Sequence, residues 1–356
     1  METHSDHFQA TASGRAIVVH APRQIAIEQR EARLEPGTVM VRVHVGGICG
    51  SDLHYYLNGG FGAVRLKAPM VLGHEISGVV TAVGAGVADL AVGQRVAVNP
   101  SMPCGTCEAC REGIRNHCRN MRFYGSAMPW PHVDGGFRDY LVCSAQQAVP
   151  ISDGIGFAEA ALAEPLAVCL HAANRAGNLD GKRVLVTGAG PIGCLMAAVA
   201  KMKGAHSVTV TDVIASARDM AMRLGADRVV DVGKSEVALA EEAVANGRFD
   251  VHFEAAGSAP ALLGALAELA PMGICVLIGQ GALAAIQVSS LIGREIDMRG
   301  SFRFDTEFEE ALHHLEAGRL DVGALVTATL PANDAVAAFE LAADKQRSSK
   351  VQLAFA

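Results

Sequence analysis

The stretch "RVLVTGAGPIG", residues 183–193, decides how the rest of the chain is read. It begins with a short, mostly apolar run suited to a strand buried on both faces. Gly188-Ala189-Gly190-Pro191-Ile192-Gly193 then opens a helical stretch reaching to about Gly204. A glycine turn between strand and helix lets the backbone approach a pyrophosphate, and the helix N-terminus adds N–H donors and a favourable dipole. Gly188, Gly190, Pro191, Ile192 and Gly193 are therefore candidate dinucleotide contacts. Asp212 ends the next strand, "SVTVTD", at the spacing of an acidic residue that accepts hydrogen bonds from both ribose hydroxyls. Its charge repels a 2′-phosphate, which favours NAD over NADP. Val213 offers no compensating positive charge, while Arg218 is near enough in sequence to keep NADP use open.

Downstream the same texture continues, with a helical stretch near Ala215 to Leu224 and the strands "RVVD", "FDVHFEAAG", "GICVLIGQ" and "IDMRGSF". Six short apolar strands with intervening helices predict an α/β doubly wound parallel sheet. Upstream, residues 15 to 100 read differently: "AIVVH", "QIAIEQ", "TVMVRVHVGG", "EISGVVTAVG" and "QRVAVNP" alternate apolar and polar residues between Pro, Gly and Asp turns, as in antiparallel or barrel-like β structure. Beyond Glu307 the chain has two helical patterns, "EFEEALHHLEAGRL" and "NDAVAAFELAADK", and a last strand, "KVQLAFA".

The chain has 356 residues, enough for two domains, and half of them are hydrophobic without a run long enough to span a membrane. Thirty basic residues stand against 37 acidic ones, a net charge of −7 with no basic stripe, which argues against a nucleic-acid partner. The polar start, residues 1–14, reads as a disordered leader without a secretory signal, and the expected protein is soluble and cytoplasmic.

Nine cysteines in such a chain point to metal rather than disulfides. Cys104, Cys107, Cys110 and Cys118 lie close enough in sequence to close a tetrahedron around a structural zinc with no open position. Cys49 in "GGICGSDLHYY" stands outside that lobe, as do His74 and Glu75 in "VLGHEISG" and Glu164 in "AEPLAVCLHAA". Thiolate, imidazole and carboxylate make a mixed ligand set that leaves room for substrate, as a catalytic zinc requires. Taken singly, each has a structural alternative as a packed, capping or surface residue.

The order of "GGICGSDLHYY", "VLGHEISG", the four-cysteine lobe, "AEPLAVCLHAA" and "VTGAGPIG" resembles the zinc-containing medium-chain alcohol and polyol dehydrogenases, over essentially the whole chain after residue 14. The resemblance implies a GroES-like β-rich catalytic domain, residues 15–160 and 305–356, with a Rossmann NAD-binding domain, residues 161–304, inserted and the active site in the cleft. It implies two zincs per subunit, with Cys49, His74 and Glu75 binding the catalytic one and Glu164 exchanging or acting through water. Ser51 would take the alcohol proton and His54 pass it on. Tyr55 and Arg303 are candidate substrate contacts, since a guanidinium suits a sugar-acid carboxylate or vicinal hydroxyls. Phe304 stands where sorbitol-type members tend to carry tyrosine, which favours a sugar acid over a neutral polyol. Family members are commonly homodimers or homotetramers. A dinucleotide-binding module without chemistry is the competing reading, and it would need none of Cys49, Ser51, His54, His74, Glu75 and Glu164.

Overall fold

Val39, Val41 and Val43 in the strand Thr38–Gly47 are buried, whereas Arg42 between them is exposed, the pattern of a strand with one face on a core. In the computed structural model, which describes residues 10–235, 238–281 and 285–356, this strand is the hub of a seven-stranded sheet. The order runs Ala148–Pro150, Arg95–Val98, Glu75–Val83, Thr38–Gly47, Lys350–Ala354, Val326–Pro331, and Tyr140–Ser144 also pairs with the hub. The C-terminal strand enters antiparallel, with Gln352 opposite Gly47 and Leu353 opposite Gly46.

One compact unit holds the described residues through Ala161 with Thr329–Glu340 and Val351–Ala356; the other holds Leu162–Ala328 and Leu341–Lys350. The segment 305–328, expected with the β-rich domain, therefore belongs to the second unit. The reason lies at Glu307, whose carboxylate accepts hydrogen bonds from His171 Nδ1 (2.9 Å) and Asn174 Nδ2 (3.1 Å) on the helix Ala163–Ala176.

A second difference concerns the start of the chain. Residues 1–9 of the expected leader lie outside the described residues, but Thr11–Ala21 is a strand paired with Gln24–Arg33, Thr11 facing Arg33 and Gly14 facing Arg30. The strand therefore starts four residues before the expected boundary at residue 15, because Thr11 to Gly14 are small or polar and carry no apolar alternation, whereas Ala16 to Val19 further along are fully buried.

The second unit contains a six-stranded parallel sheet ordered Arg228–Asp231, Ser207–Asp212, Arg183–Thr187, Phe249–Glu254, Leu269–Leu277, Asp297–Gly300. By sequence this is 3-2-1-4-5-6, the doubly wound order of dinucleotide-binding sheets. Val184 to Thr187 are all buried, as a strand covered on both faces requires. Leu185, Phe249, Leu266, Leu269 and Cys275 form one of its core clusters. Among the described residues no helix is long and apolar enough to cross a membrane.

Candidate functional site

Antiparallel pairing closes the gap of 25 residues between Cys49 and His74. Thr38–Gly47 pairs with Glu75–Val83 so that Gly47 stands opposite Glu75, and the chain continues from Gly47 through Ile48 to Cys49. A side chain at Gly47 would occupy the space that the Glu75 carboxylate fills. By contrast, a Cβ on Gly50 would meet nothing, so crowding explains the glycine before Cys49 and not the one after it.

Cys49 is the N-cap of the helix Gly50–Asn58. At the third helical position Asp52 is fully buried and accepts the N–H of Cys49 at 3.0 Å through one oxygen and that of Gly73 at 3.1 Å through the other. One carboxylate thus fixes the backbone beside both Cys49 and His74. Burial pushes the Asp52 carboxyl upward, against the opposing influence of His74 and the two N–H donors. The sequence signal for this role is the place of Asp52 three residues after Cys49, the spacing of a capping box.

Ligand atoms of Cys49, His74 and Glu75 lie within 4.8 Å of one another. His74 is 5% and Glu75 0% exposed, and His74 Nδ1 is buried without a hydrogen-bond partner, 3.9 Å from Asp52 Oδ1. A thiolate, an imidazole and a carboxylate gathered this closely in a buried setting, with a ring nitrogen of the imidazole left unsatisfied, fit a catalytic zinc. The sulfurs of Cys104, Cys107, Cys110 and Cys118 form the second such group, with Cys107 3.6 Å from Cys110 and 3.9 Å from Cys118. Metal–sulfur bonds of about 2.3 Å place tetrahedral ligands about 3.8 Å apart, so four thiolates fit zinc here. Backbone N–H groups of Thr106 and then Cys107 hold the Cys104 thiol down to about 5, favouring the thiolate a metal binds.

Ser51 is half-buried and His54 exposed on the same helix, three positions apart and so on one face. The His54 ring lies 5.7 Å from that of Phe61. Tyr55 is 1% exposed, and its hydroxyl accepts the N–H of Ala127 at 2.9 Å, which ties the helix Gly50–Asn58 to the chain at Ala127. Glu164 is buried in the first turn of the helix Ala163–Ala176 on the second unit, where the helix dipole favours a carboxylate. On that unit too, Arg303 has φ +52°, a left-handed conformation costing about 1–2 kcal/mol for a residue with a Cβ, and its guanidinium lies 5.0 Å over the Phe302 ring. Phe304 is 1% exposed and packs on Phe308 at 5.9 Å, so a tyrosine hydroxyl there would need a partner inside the core; this moves position 304 from substrate recognition to packing.

At the glycine turn, Gly193 is fixed by the protein itself, since a Cβ would strike the carbonyl of Gly188. Gly190 is the N-cap of the helix Pro191–Met202, and a Cβ there would meet nothing within 4 Å. Pro191 sits at the first helical position and Ile192 follows it on the same turn. Asp212 accepts the N–H of Ala189 (2.7 Å) and of Ile214 (2.8 Å), bracing the turn from the neighbouring strand end. Arg218 donates to the Asp212 carbonyl (2.8 Å) and to the Asp231 carboxylate (2.7 Å). That ties up the one cation raised in favour of a 2′-phosphate.

This doubly wound sheet, the four-cysteine lobe and the mixed trio define a class, and the chain belongs to the zinc-binding alcohol dehydrogenase family. The family model described as "Alcohol dehydrogenase GroES-like domain" matches residues 35–153, and that described as "Zinc-binding dehydrogenase" matches residues 191–317. The chain is 41% identical to the L-idonate 5-dehydrogenase (NAD(P)(+)) of Escherichia coli strain K12, over 95% of this chain and 98% of that protein. The crystal structure of that enzyme superposes with a TM-score of 0.93 at 40% identity, covering 98% of this chain and 99% of the other. The sorbitol dehydrogenase of Gallus gallus is 38% identical over 93% of this chain and 94% of its own. A putative zinc-binding dehydrogenase from Sinorhizobium meliloti 1021, solved bound to NADP, superposes with a TM-score of 0.88 at 28% identity, covering 97% of this chain and all of that one. The chain is thus a zinc-type dehydrogenase of the polyol and sugar-acid group.

Proposed function

We propose that the chain oxidises a secondary alcohol of a sugar acid with NAD, converting L-idonate to 5-keto-D-gluconate. The observation that carries the chemistry is the gathering of ligand atoms from Cys49, His74 and Glu75 within 4.8 Å of one another. These three residues would hold the catalytic zinc, with Glu164 as the exchanging carboxylate of the same ligand set, and the four-cysteine lobe would hold a structural one. When bound, zinc supplies Lewis acidity that makes the substrate hydroxyl a stronger acid, and NAD accepts the hydride from its carbon.

The remaining work falls to the chain's own side chains. Ser51 accepts the hydroxyl proton, and His54, one helical turn on and exposed, releases it to solvent; imidazole suits proton transfer near neutral pH. Gly188, Gly190, Pro191, Ile192 and Gly193 form the pyrophosphate turn, and the Asp212 carboxylate takes the ribose hydroxyls. Arg303 faces the sugar-acid carboxylate, and Tyr55 is the second proposed substrate contact. The similarity to L-idonate 5-dehydrogenase supports the sugar acid. A neutral polyol of the sorbitol, xylitol or galactitol kind is the second reading, favoured by the likeness to sorbitol dehydrogenase. Assembly as a homodimer or homotetramer is part of the proposal, because the strand Asp297–Gly300 ends its sheet. Cys49→Ala tests the chemistry: turnover should vanish while one zinc per chain remains, and full activity in that variant would refute it.

A further inference from the structure

Two anchors from one helix bracket the turn that carries Arg303. On one side, Arg175 Nε donates to the carbonyl of Gly300 at 3.1 Å. On the other, Glu307 gathers three donors: His171 Nδ1 (2.9 Å), Asn174 Nδ2 (3.1 Å) and the backbone N–H of Asp305 (2.8 Å). His171, Asn174 and Arg175 all belong to the helix Ala163–Ala176. Phe304 and Phe308, both buried, pin the turn from beneath.

Between these anchors lies the left-handed Arg303. A backbone conformation disfavoured for arginine persists only where surrounding contacts over-determine it, and such residues cluster at ligand clamps. Glu307 is 5% exposed, and a buried carboxylate is retained in an ionised state only when it is well partnered. Burial alone would raise its pKa, but the bonds from His171, Asp305 and Asn174 outweigh it and hold the carboxyl at about 2. The carboxylate of the clasp is therefore ionised near neutral pH.

We propose that Glu307 is a positioning residue for substrate selection: with His171 and Asn174 it holds the 302–306 turn, and so fixes the direction in which Arg303 presents its guanidinium to a carboxylate. This rests on the reading of Arg303 as the sugar-acid contact. A bidentate guanidinium–carboxylate pair is charge-assisted and depends on orientation, so loosening its base weakens a sugar acid more than a neutral polyol, whose hydroxyls would make weaker, less directional bonds to the same guanidinium.

The test compares kcat and KM for L-idonate and for sorbitol, under NAD saturation, in the holoenzyme and in the variants Glu307→Gln, Asn174→Ala, Arg303→Ala and Glu307→Gln/Arg303→Ala. Glu307→Gln should raise KM for L-idonate about tenfold with kcat changed far less, lowering the idonate-to-sorbitol ratio of kcat/KM. Asn174→Ala, which removes one donor of three, should move the ratio the same way by less and serves if Glu307→Gln folds poorly. On the Arg303→Ala background the Glu307 change should add no further loss of the ratio. Equal loss on both substrates would assign Glu307 a purely structural role and overturn the inference. If Arg303→Ala lowers the ratio and neither clasp variant does, the clasp alone is refuted. If Arg303→Ala leaves the ratio unmoved, the reading of Arg303 fails and the inference falls with it.

Discussion

Gly47 stands directly across the antiparallel pair from Glu75, and the Glu75 carboxylate occupies the place of the side chain that Gly47 lacks. The ladder sets the register, and the glycine admits the carboxylate beside Cys49. Gly47→Ala should therefore push Glu75 out of the trio without touching any proposed ligand. The expected outcome is loss of one zinc per chain and a fall in activity of roughly 10–100-fold, as for other changes that disturb metal-ligand support. Metal analysis alongside turnover checks it, and an unchanged zinc content would show that the trio does not depend on this packing.

The four-cysteine lobe gives a separable prediction. Cys104→Ser should remove the second zinc and lower the thermal midpoint, because the free energy with which a structural zinc binds its four cysteines is part of the folding free energy. Activity measured below the new midpoint should fall less than in Cys49→Ala. Equal zinc loss and equal inactivation in both variants would merge two sites kept apart above.

Asp212 braces the glycine turn through Ala189 and Ile214, and its carboxylate is the group proposed to take the ribose hydroxyls and repel a 2′-phosphate. Asp212→Asn keeps an acceptor and removes the charge. The NAD-to-NADP ratio of kcat/KM should fall about tenfold, equivalent to about 1.4 kcal/mol, with NADP use improving only in part because Arg218 stays tied to Asp231. Coenzyme titrations with each nucleotide check it, and an unmoved ratio would remove Asp212 from selectivity.

His252 lies fully buried in the parallel sheet between Thr187 Oγ1, 3.0 Å from Nε2, and Cys275 Sγ, 3.4 Å from Nδ1. Burial pushes its pKa down to about 3 from an ordinary value of 6.5. The folded chain then binds fewer protons at this site than the unfolded chain between those values, so stability rises with pH across the window. The contribution is complete above 6.5 and is lost as pH falls, by up to about 1.4 kcal/mol per pH unit. Urea unfolding of His252→Gln should show a shallower acid loss than the parent between pH 6.5 and about 4.5; parallel curves would contradict this.

The parts of the molecule that were legible in sequence are those whose signal is local. The strand Arg183–Thr187 reads directly because burial on both faces leaves an apolar run, and the four-cysteine lobe because its ligands are neighbours in the chain. The Cys49–His74–Glu75 grouping was reached through family resemblance, since the pairing that joins it is non-local. The first residues of the strand Thr11–Ala21, Thr11 to Gly14, are small or polar and read as part of the leader, although "AIVVH" in the same strand reads as β structure. Glu307 looked like an ordinary acid at a helix start, and only the fold shows His171 and Asn174 converging on it, which also draws residues 305–328 into the second unit. Phe304 illustrates the reverse error, a residue beside a proposed contact that is itself core.

Initial rates of NADH formation with L-idonate, D-gluconate, sorbitol and xylitol, each repeated with NADP, test the central claim most directly. The account predicts the highest kcat/KM on L-idonate with NAD. Faster turnover on a neutral polyol than on L-idonate would contradict it.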